Sequence, residues 1–253
     1  MVDKDQALLK YVLRLGDNAL VHGQRLIELV AHGPELEEEL ANANFSLDYL
    51  GQARMFYTYA GKLEGAGRTE DDFAMLRPEH EYENLLLVEQ PNGHFGETVV
   101  RSVLFESFYL LQLEALVQCN DAGLAEIAAR AIKEIRYHLR FSSQWLIRLG
   151  DGTDESQQRV QASLSESWTF TGEFFAADDV DKVVQDEFQG PNLEELQQAW
   201  RNNVATIVAE ATLQLPEDQW MEISGREGRH SEYFGFLIAE MQSMQRAMPG
   251  LNW

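Results

Sequence analysis

The chain has 253 residues, and 42 Asp and Glu against 20 Lys and Arg give it a net charge of −22. With no basic run to offset that charge, the counterion-displacing surface that nucleic acids require is excluded and an anionic membrane face is disfavoured. Hydrophobic residues at 45% and charged residues at 25% are ordinary globular usage, enough for a substantial core.

The one cysteine, Cys119, closes no intrachain disulfide and forms no Cys-rich zinc site, so a reducing, cytoplasmic compartment is expected. The start, Met1 to Gln6, is polar, and no apolar run nears the roughly 18 residues of a membrane span. Neither a signal peptide nor a transmembrane helix is expected. With only 6 prolines in the chain, the composition leans towards helix.

A first helix is predicted from about Ala7 to Ala31, with Gly33 suited to its end. Pro34 suits the first turn of a second helix, and Glu35, Glu37, Glu38 and Glu39 sit where the positive end of its dipole favours them. Leu36, Leu40, Ala43, Leu47, Leu50 and Tyr57 recur at helical spacing, which predicts the buried stripe of that helix. So brief a connection predicts an antiparallel pair. A second such pair is expected over 97–119 and 124–149, joined through Asn120, Asp121 and Gly123.

Between the pairs runs a connection from about Leu63 to Gly96, broken by Gly65, Gly67, Pro78, Pro91 and Gly93. Short loop, long crossover and short loop again is the connectivity of ferritin-like four-helix bundles. The expected fold is therefore all-α: a ferritin-like four-helix bundle with a long crossover between helices 2 and 3 and extra C-terminal helices. Residues 1–253 are read as a single ferritin-like domain, with a core bundle over about 7–149 and a helical extension over about 150–253. That extension is expected to hold helices near 155–176 and 193–213, a Gly-rich stretch at Gly225 and Gly228, and a last helix from about Ser231 to Met248.

Such bundles often carry a di-iron site built from a Glu on each of two helices and a Glu-x-x-His on each of the other two, because residues three apart share a helix face. Residues equally far from a short loop should share a level, which pairs Asn18 with Tyr49 and Glu106 with His138. Neither pair yields the motif. Tyr49 and Gln52 stand in the Glu and His slots of the second helix, and Ile135 stands in the Glu slot of the fourth. Only Glu106 and His138 remain as ligands, too few to hold two irons. Asp48 and Glu134 are each one residue out of register, about 100° around a helix.

The remaining polar residues have structural readings. His138 with Glu134 suits an i, i+4 contact, Asp48 with Gln52 and Asn18 with His22 suit polar contacts within the bundle or to a partner, and Glu106 suits a buried Arg or His. A literal Glu-x-x-His at Glu227 to His230 is interrupted by Gly228 and is taken as a decoy. The group Arg226, Arg229 and His230 raises the question of a CoA phosphate contact. No P-loop, dinucleotide fingerprint, nucleophile elbow or paired-Cys motif is present. Cys119 and the aromatic residues Phe56, Tyr57, Tyr59, Phe105, Phe108 and Tyr109 are expected to pack the core.

Several stretches in order carry a family resemblance: Leu13 to Asn18, Leu47 to Arg54, Asn84 to Gly93, Lys133 to Phe141, Gly150 to Asp154 and Leu237 to Gln242. Together they resemble the PaaC family across nearly the whole chain. These are the non-catalytic ferritin-like subunits of the oxygenase that epoxidises the ring of phenylacetyl-CoA. The resemblance implies a role in phenylacetate breakdown beside a catalytic subunit, PaaA, that holds the di-iron centre. It further implies a small bridging subunit, PaaB, and a reductase, PaaE, with FAD, an iron–sulfur cluster and NADPH. No catalytic, cofactor or metal residue is then expected here; Asn18, Tyr49, Gln52, Glu106, Ile135 and His138 would be vestigial positions. The chain is expected to pair with PaaA, or with itself when alone, and its charge asks for a more basic face on the partner. Two rivals stand against this: a metal-dependent oxygenase using Glu106, Glu134 and His138, and an iron-binding protein of the miniferritin kind.

Overall fold

The computed structural model describes residues 3–251; Met1 and Val2 of the polar start, and Asn252 and Trp253, lie outside the described residues. All regular structure among the described residues is helical. Helix α1 (Lys4–Ile27) starts on Asp3, whose carboxylate accepts from the N–H groups of Asp5 and Gln6. Helix α2 (Leu36–Glu64) ends on Gly65 at φ 68, a left-handed stop that glycine adopts without strain. The crossover then carries a π turn (Asp72–Leu76), a 3-10 turn (Glu79–Glu81) and the one-turn helix α3 (Leu86–Glu89). Helices α4 (Phe95–Leu116) and α5 (Ala122–Gly150) form the second long pair, the latter capped by Asp121.

Around this bundle the chain adds α6 (Asp154–Trp168), α7 (Asp179–Phe188), α8 (Leu193–Glu210), α9 (Glu232–Met241) and α10 (Ser243–Ala247). The expected helix over 155–176 therefore stops at Trp168 and continues as a 3-10 turn, and the last expected helix breaks in two at Gln242. Helix α7 was not expected; its signal is the reciprocal cap in which Asp178 accepts from the Asp181 N–H and Asp181 accepts from the Asp178 N–H. Helix α1 ends at Ile27, earlier than Ala31, and the left-handed residue of the connection is Ala31 at φ 74 rather than Gly33.

The long helices pair as α1 with α2 and α4 with α5, and α2 also meets α5. Helices α3 and α7 lie on α1, while α6 and α8 lie across both α4 and α5. Helix α2 packs extensively only on α1 and α5. One contiguous apolar core runs from Ala7 to Ile238, with Phe56, Tyr57, Phe105, Phe108 and Tyr109 all buried in it. Cys119 is buried just past α4, and half-buried Tyr59 bonds Asp121 at 2.7 Å.

The predicted buried stripe of α2 holds only in part: Tyr57 enters the core and Ala43 and Leu50 are half-buried, but its other leucines face outward. Leu36, Leu40 and Leu47 are exposed, and the buried face is Asn42, Phe45, Ser46, Tyr49, Gln52, Ala53, Phe56 and Tyr57. The helix has an apolar face on each side of its axis, and the one that enters the core is the more polar in composition. Ser46, Tyr49, Gln52 and Tyr57 are paired inside: the Ser46 hydroxyl, for example, donates to the Gly23 carbonyl at 2.8 Å.

A buried ion pair fastens the crossover to α1. Arg77 chelates Asp17 through both terminal guanidinium nitrogens, while the Tyr57 hydroxyl (2.7 Å) and the Glu83 N–H (2.9 Å) also donate to that carboxylate. The Arg77 Nε–H donates to the Phe73 carbonyl at 2.6 Å, and the guanidinium lies over the Tyr82 ring. Next along α1, Asn18 Oδ1 accepts from the Leu85 N–H at 2.7 Å.

Candidate metal centre of the bundle

The level of the bundle where ligands were sought holds a closed polar network. Tyr49 on α2 points its hydroxyl at Glu106 on α4 (3.3 Å), and Ser142 on α5 donates to the other oxygen of Glu106 (2.6 Å). His138 Nε2 meets Asp48 at 3.0 Å, Gln52 Nε2 donates to Glu134 at 2.7 Å, and the Tyr109 hydroxyl donates to Gln52 Oε1 at 3.1 Å. Ile135 is buried and apolar. Two expected contacts are therefore exchanged: His138 pairs with Asp48 rather than Glu134, and Gln52 with Glu134 rather than Asp48. Asp48 and Glu134, out of register for a central metal, line the α2/α5 seam, where each takes the other's expected partner.

Glu106 has no Arg or His partner, contrary to expectation, but a serine and a phenol. Asn18 does not meet His22; it turns to the crossover. Each expected level is displaced by one helical turn. His22, not Asn18, stands against Tyr49, with ring centroids 4.8 Å apart, and Ser142, not His138, meets Glu106. Turn residues 28–35 and 117–121 go on climbing in the direction of α1 and α4, so each hairpin reverses near the start of its second helix and counting from the middle of the loop misplaces one partner by about a turn. Ser142 is the member of the network that sequence reasoning missed, and His22, expected beside Asn18, packs on Tyr49 instead; the signal available was their position one turn from the residues expected at that level.

Burial sets the protonation of this centre. Desolvation pushes Glu106 from 4.5 up to about 8, against the pull of the Ser142 and Tyr49 hydrogen bonds. Tyr49 is pushed well above the ordinary phenol range, first by burial and then by Glu106. His22 falls well below its usual range through burial, with Arg101 and His138 adding to the effect, and neither ring nitrogen has a protein partner. His138 is also lowered by burial, opposed by Asp48; with Nε2 on that carboxylate, its Nδ1 has no partner.

A di-iron group needs bridging carboxylates and imidazoles converging on one space. The residues present do not fit it. Glu106, Asp48 and Glu134 are each engaged by protein donors, and the Tyr49 ring stands where a carboxylate would project. The cavity beside Glu106, lined also by Asn42, Phe45 and Ser142, has a volume of about 10 Å³. That is space for about one water molecule. Among the described residues, no group of three or more His, Cys, Asp and Glu side chains converges in ligating positions.

The second motif is dispersed as well. His230 is buried between Glu89 (Nδ1 to Oε2, 2.7 Å) and the Tyr82 carbonyl (Nε2, 2.9 Å), while Glu227 pairs with Arg229 at the surface. Two acceptors on one imidazole require both nitrogens to carry protons, and the Glu89 contact outweighs burial to raise its pKa. Arg226 is engaged by Asp181 at 2.9 Å and tied into the fold near Glu173. The three residues singled out for a CoA phosphate thus form no common cationic face.

Among the described residues, no helix is long and apolar enough to cross a membrane. The fold is similar to that of a solved structure, protein 19 with aldehyde deformylating oxidase activity from Synechococcus. The TM-score is 0.60 at 16% identity, covering 84% of this chain and 95% of that one. The likeness bears on the ferritin-like fold alone. In sequence, the chain is 47% identical over 246 residues to the subunit designated C of the 1,2-phenylacetyl-CoA epoxidase of Escherichia coli (strain K12), spanning 97% of this chain and 99% of that protein. The family model described as phenylacetic acid catabolic protein matches residues 1–253. On the full-length family match and that degree of identity, the chain belongs to the phenylacetic acid catabolic protein family.

Proposed function

We propose that this chain is the structural subunit of a multicomponent di-iron oxygenase that epoxidises the aromatic ring of phenylacetyl-CoA, drawing on O2 and NADPH, in phenylacetate catabolism. The observation that carries the non-catalytic part is the centre of the bundle. Tyr49, Gln52 and Ile135 occupy ligand positions of the motif, and the carboxylates left there are bound to protein donors. The oxygenase part rests on the identity to a component of the Escherichia coli epoxidase. Iron would sit in the catalytic partner, PaaA, and FAD, iron–sulfur and NADPH chemistry in the reductase PaaE, with PaaB bridging the parts. This chain's residues would then stabilise the partner rather than touch the substrate.

The test is iron content and complex formation. The chain purified alone is expected to hold well under one iron per chain and to show no oxidase activity, and PaaA coexpressed with it should copurify and gain activity. Two irons per chain with turnover would establish the rival catalytic reading instead. Replacement of His138 by Ala separates the two readings further. It is expected to leave activity of the assembled complex within about twofold while lowering the stability of the chain, because Asp48 loses its partner at the α2/α5 seam.

A further inference from the structure

From the outer face of α2 we infer the surface on which the catalytic partner docks: a helix of that partner lies along Leu36, Leu40, Ala43, Leu47 and Leu50 and crosses α2 at Gly51. This rests on the subunit reading above and assigns it a location. Leu36, Leu40 and Leu47 are 65%, 56% and 63% exposed, although α2 is one of the four long helices of the bundle. Their spacing alternates four and three residues, the repeat by which one helix seats another in a coiled-coil seam. Additional elements cover α1, α4 and α5, whereas α2 packs extensively only on its two bundle neighbours.

Gly51 is the independent sign. It lies mid-helix, where glycine weakens a helix, and a Cβ there would meet no atom of this chain within 4 Å. Nothing in the chain's own packing requires a glycine at this point. A partner backbone crossing α2 beside Leu47 would use one. Charge selects the occupant: Glu37, Glu38, Glu39 and Asp48 border the leucines in a chain of net charge −22. A second copy would oppose acid to acid, whereas a partner helix with basic flanks is complementary.

The experiment is copurification of this chain with tagged, coexpressed PaaA, followed by titration of the purified chains. The double variant Leu40→Asp/Leu47→Asp is expected to weaken association at least a hundredfold. Gly51→Leu should weaken it at least tenfold while the melting temperature of the chain alone holds or rises by a few degrees. A thermal melt of each variant separates lost docking from lost folding. Phe236→Asp, which alters an exposed apolar residue on α9 outside the stripe, should bind as the parent does. If the parent binds PaaA and the leucine and glycine variants bind equally well, the location is wrong and the subunit reading stands. Failure of the folded parent to bind PaaA removes both. A homodimer of the parent that the leucine variants dissolve would show that a second copy occupies the stripe, and overturns the inference.

Discussion

Replacing Asp17 by Ala is expected to destabilise the protein by about 3–5 kcal/mol, the cost of stranding a buried charge. Asp17 and Arg77 are both buried, and removal of the carboxylate leaves a guanidinium with neutral acceptors only, the Phe73 and Glu81 carbonyls and the Tyr57 hydroxyl. The same change strips the Tyr57 hydroxyl and the Glu83 N–H of their acceptor. In a chain of this size the loss corresponds to a fall in melting temperature on the order of 10 °C. Because Arg77 and Glu83 belong to the crossover, proteolysis there should quicken before the long helices melt. Urea denaturation of the variant decides the matter; a loss below about 1 kcal/mol would mean that the pair does not hold the crossover. Asp17→Leu combined with Arg77→Met should cost less than Asp17→Ala alone, since no unpaired charge then remains in the core.

Glu106 gives the second large effect, and its signature is pH dependence. Its folded pKa, about 8, lies above its ordinary 4.5, so between those values the native state holds a proton that the unfolded chain has released. Stability from this group is therefore fully present below about pH 4.5 and is lost as pH rises through about 8, where the carboxylate ionises inside the core. The loss is on the order of a few kcal/mol. Glu106→Gln keeps the size and an acceptor for Ser142 and carries no charge. It is expected to leave stability near pH 5 within about 1 kcal/mol and to raise it at pH 9 by a few kcal/mol, flattening the profile between. Equal pH profiles for parent and variant would show that Glu106 is not held neutral. Such a carboxyl suits a bundle interior that retains a proton rather than one that offers charge to a cation.

Much of the fold is legible in the residues. The glutamates after Pro34, the glycine stop at Gly65 and the Asp121 cap mark helix ends, because terminal N–H and C=O groups need partners whatever the helix later packs against. The crossover is legible from its glycines and prolines. Helix α7 was not, because ten residues with four acids give a short periodic signal; its Asp178 and Asp181 cap is the local mark.

The candidate site was legible in substance and misplaced in detail. Tyr49, Gln52 and Ile135 are neither the carboxylates nor the imidazole of the motif wherever they point, so the loss of the Glu-x-x-His pattern could be read from the sequence. Which groups meet was a different matter. His22 and Ser142 entered, Asn18 left, and Asp48 and Glu134 exchanged partners, because one helical turn of offset at each loop brings a new set of side chains to the same height.

The sequence by itself determined the long helices of the bundle, their order, the long crossover and the absence of a Glu-x-x-His pattern at the central positions, since each depends on residue type and local spacing. Only the tertiary structure decided which face of α2 is core. Hydropathy favours Leu36, Leu40 and Leu47, yet the bundle buries Asn42, Ser46 and Gln52, of which Ser46 and Gln52 find hydrogen-bond partners on α1, α4 and α5. Burial rewards the side whose neighbours are complementary in shape and hydrogen bonding, and neighbours distant in sequence are fixed only when the chain is folded. The leucines left outside are thereby available to another chain.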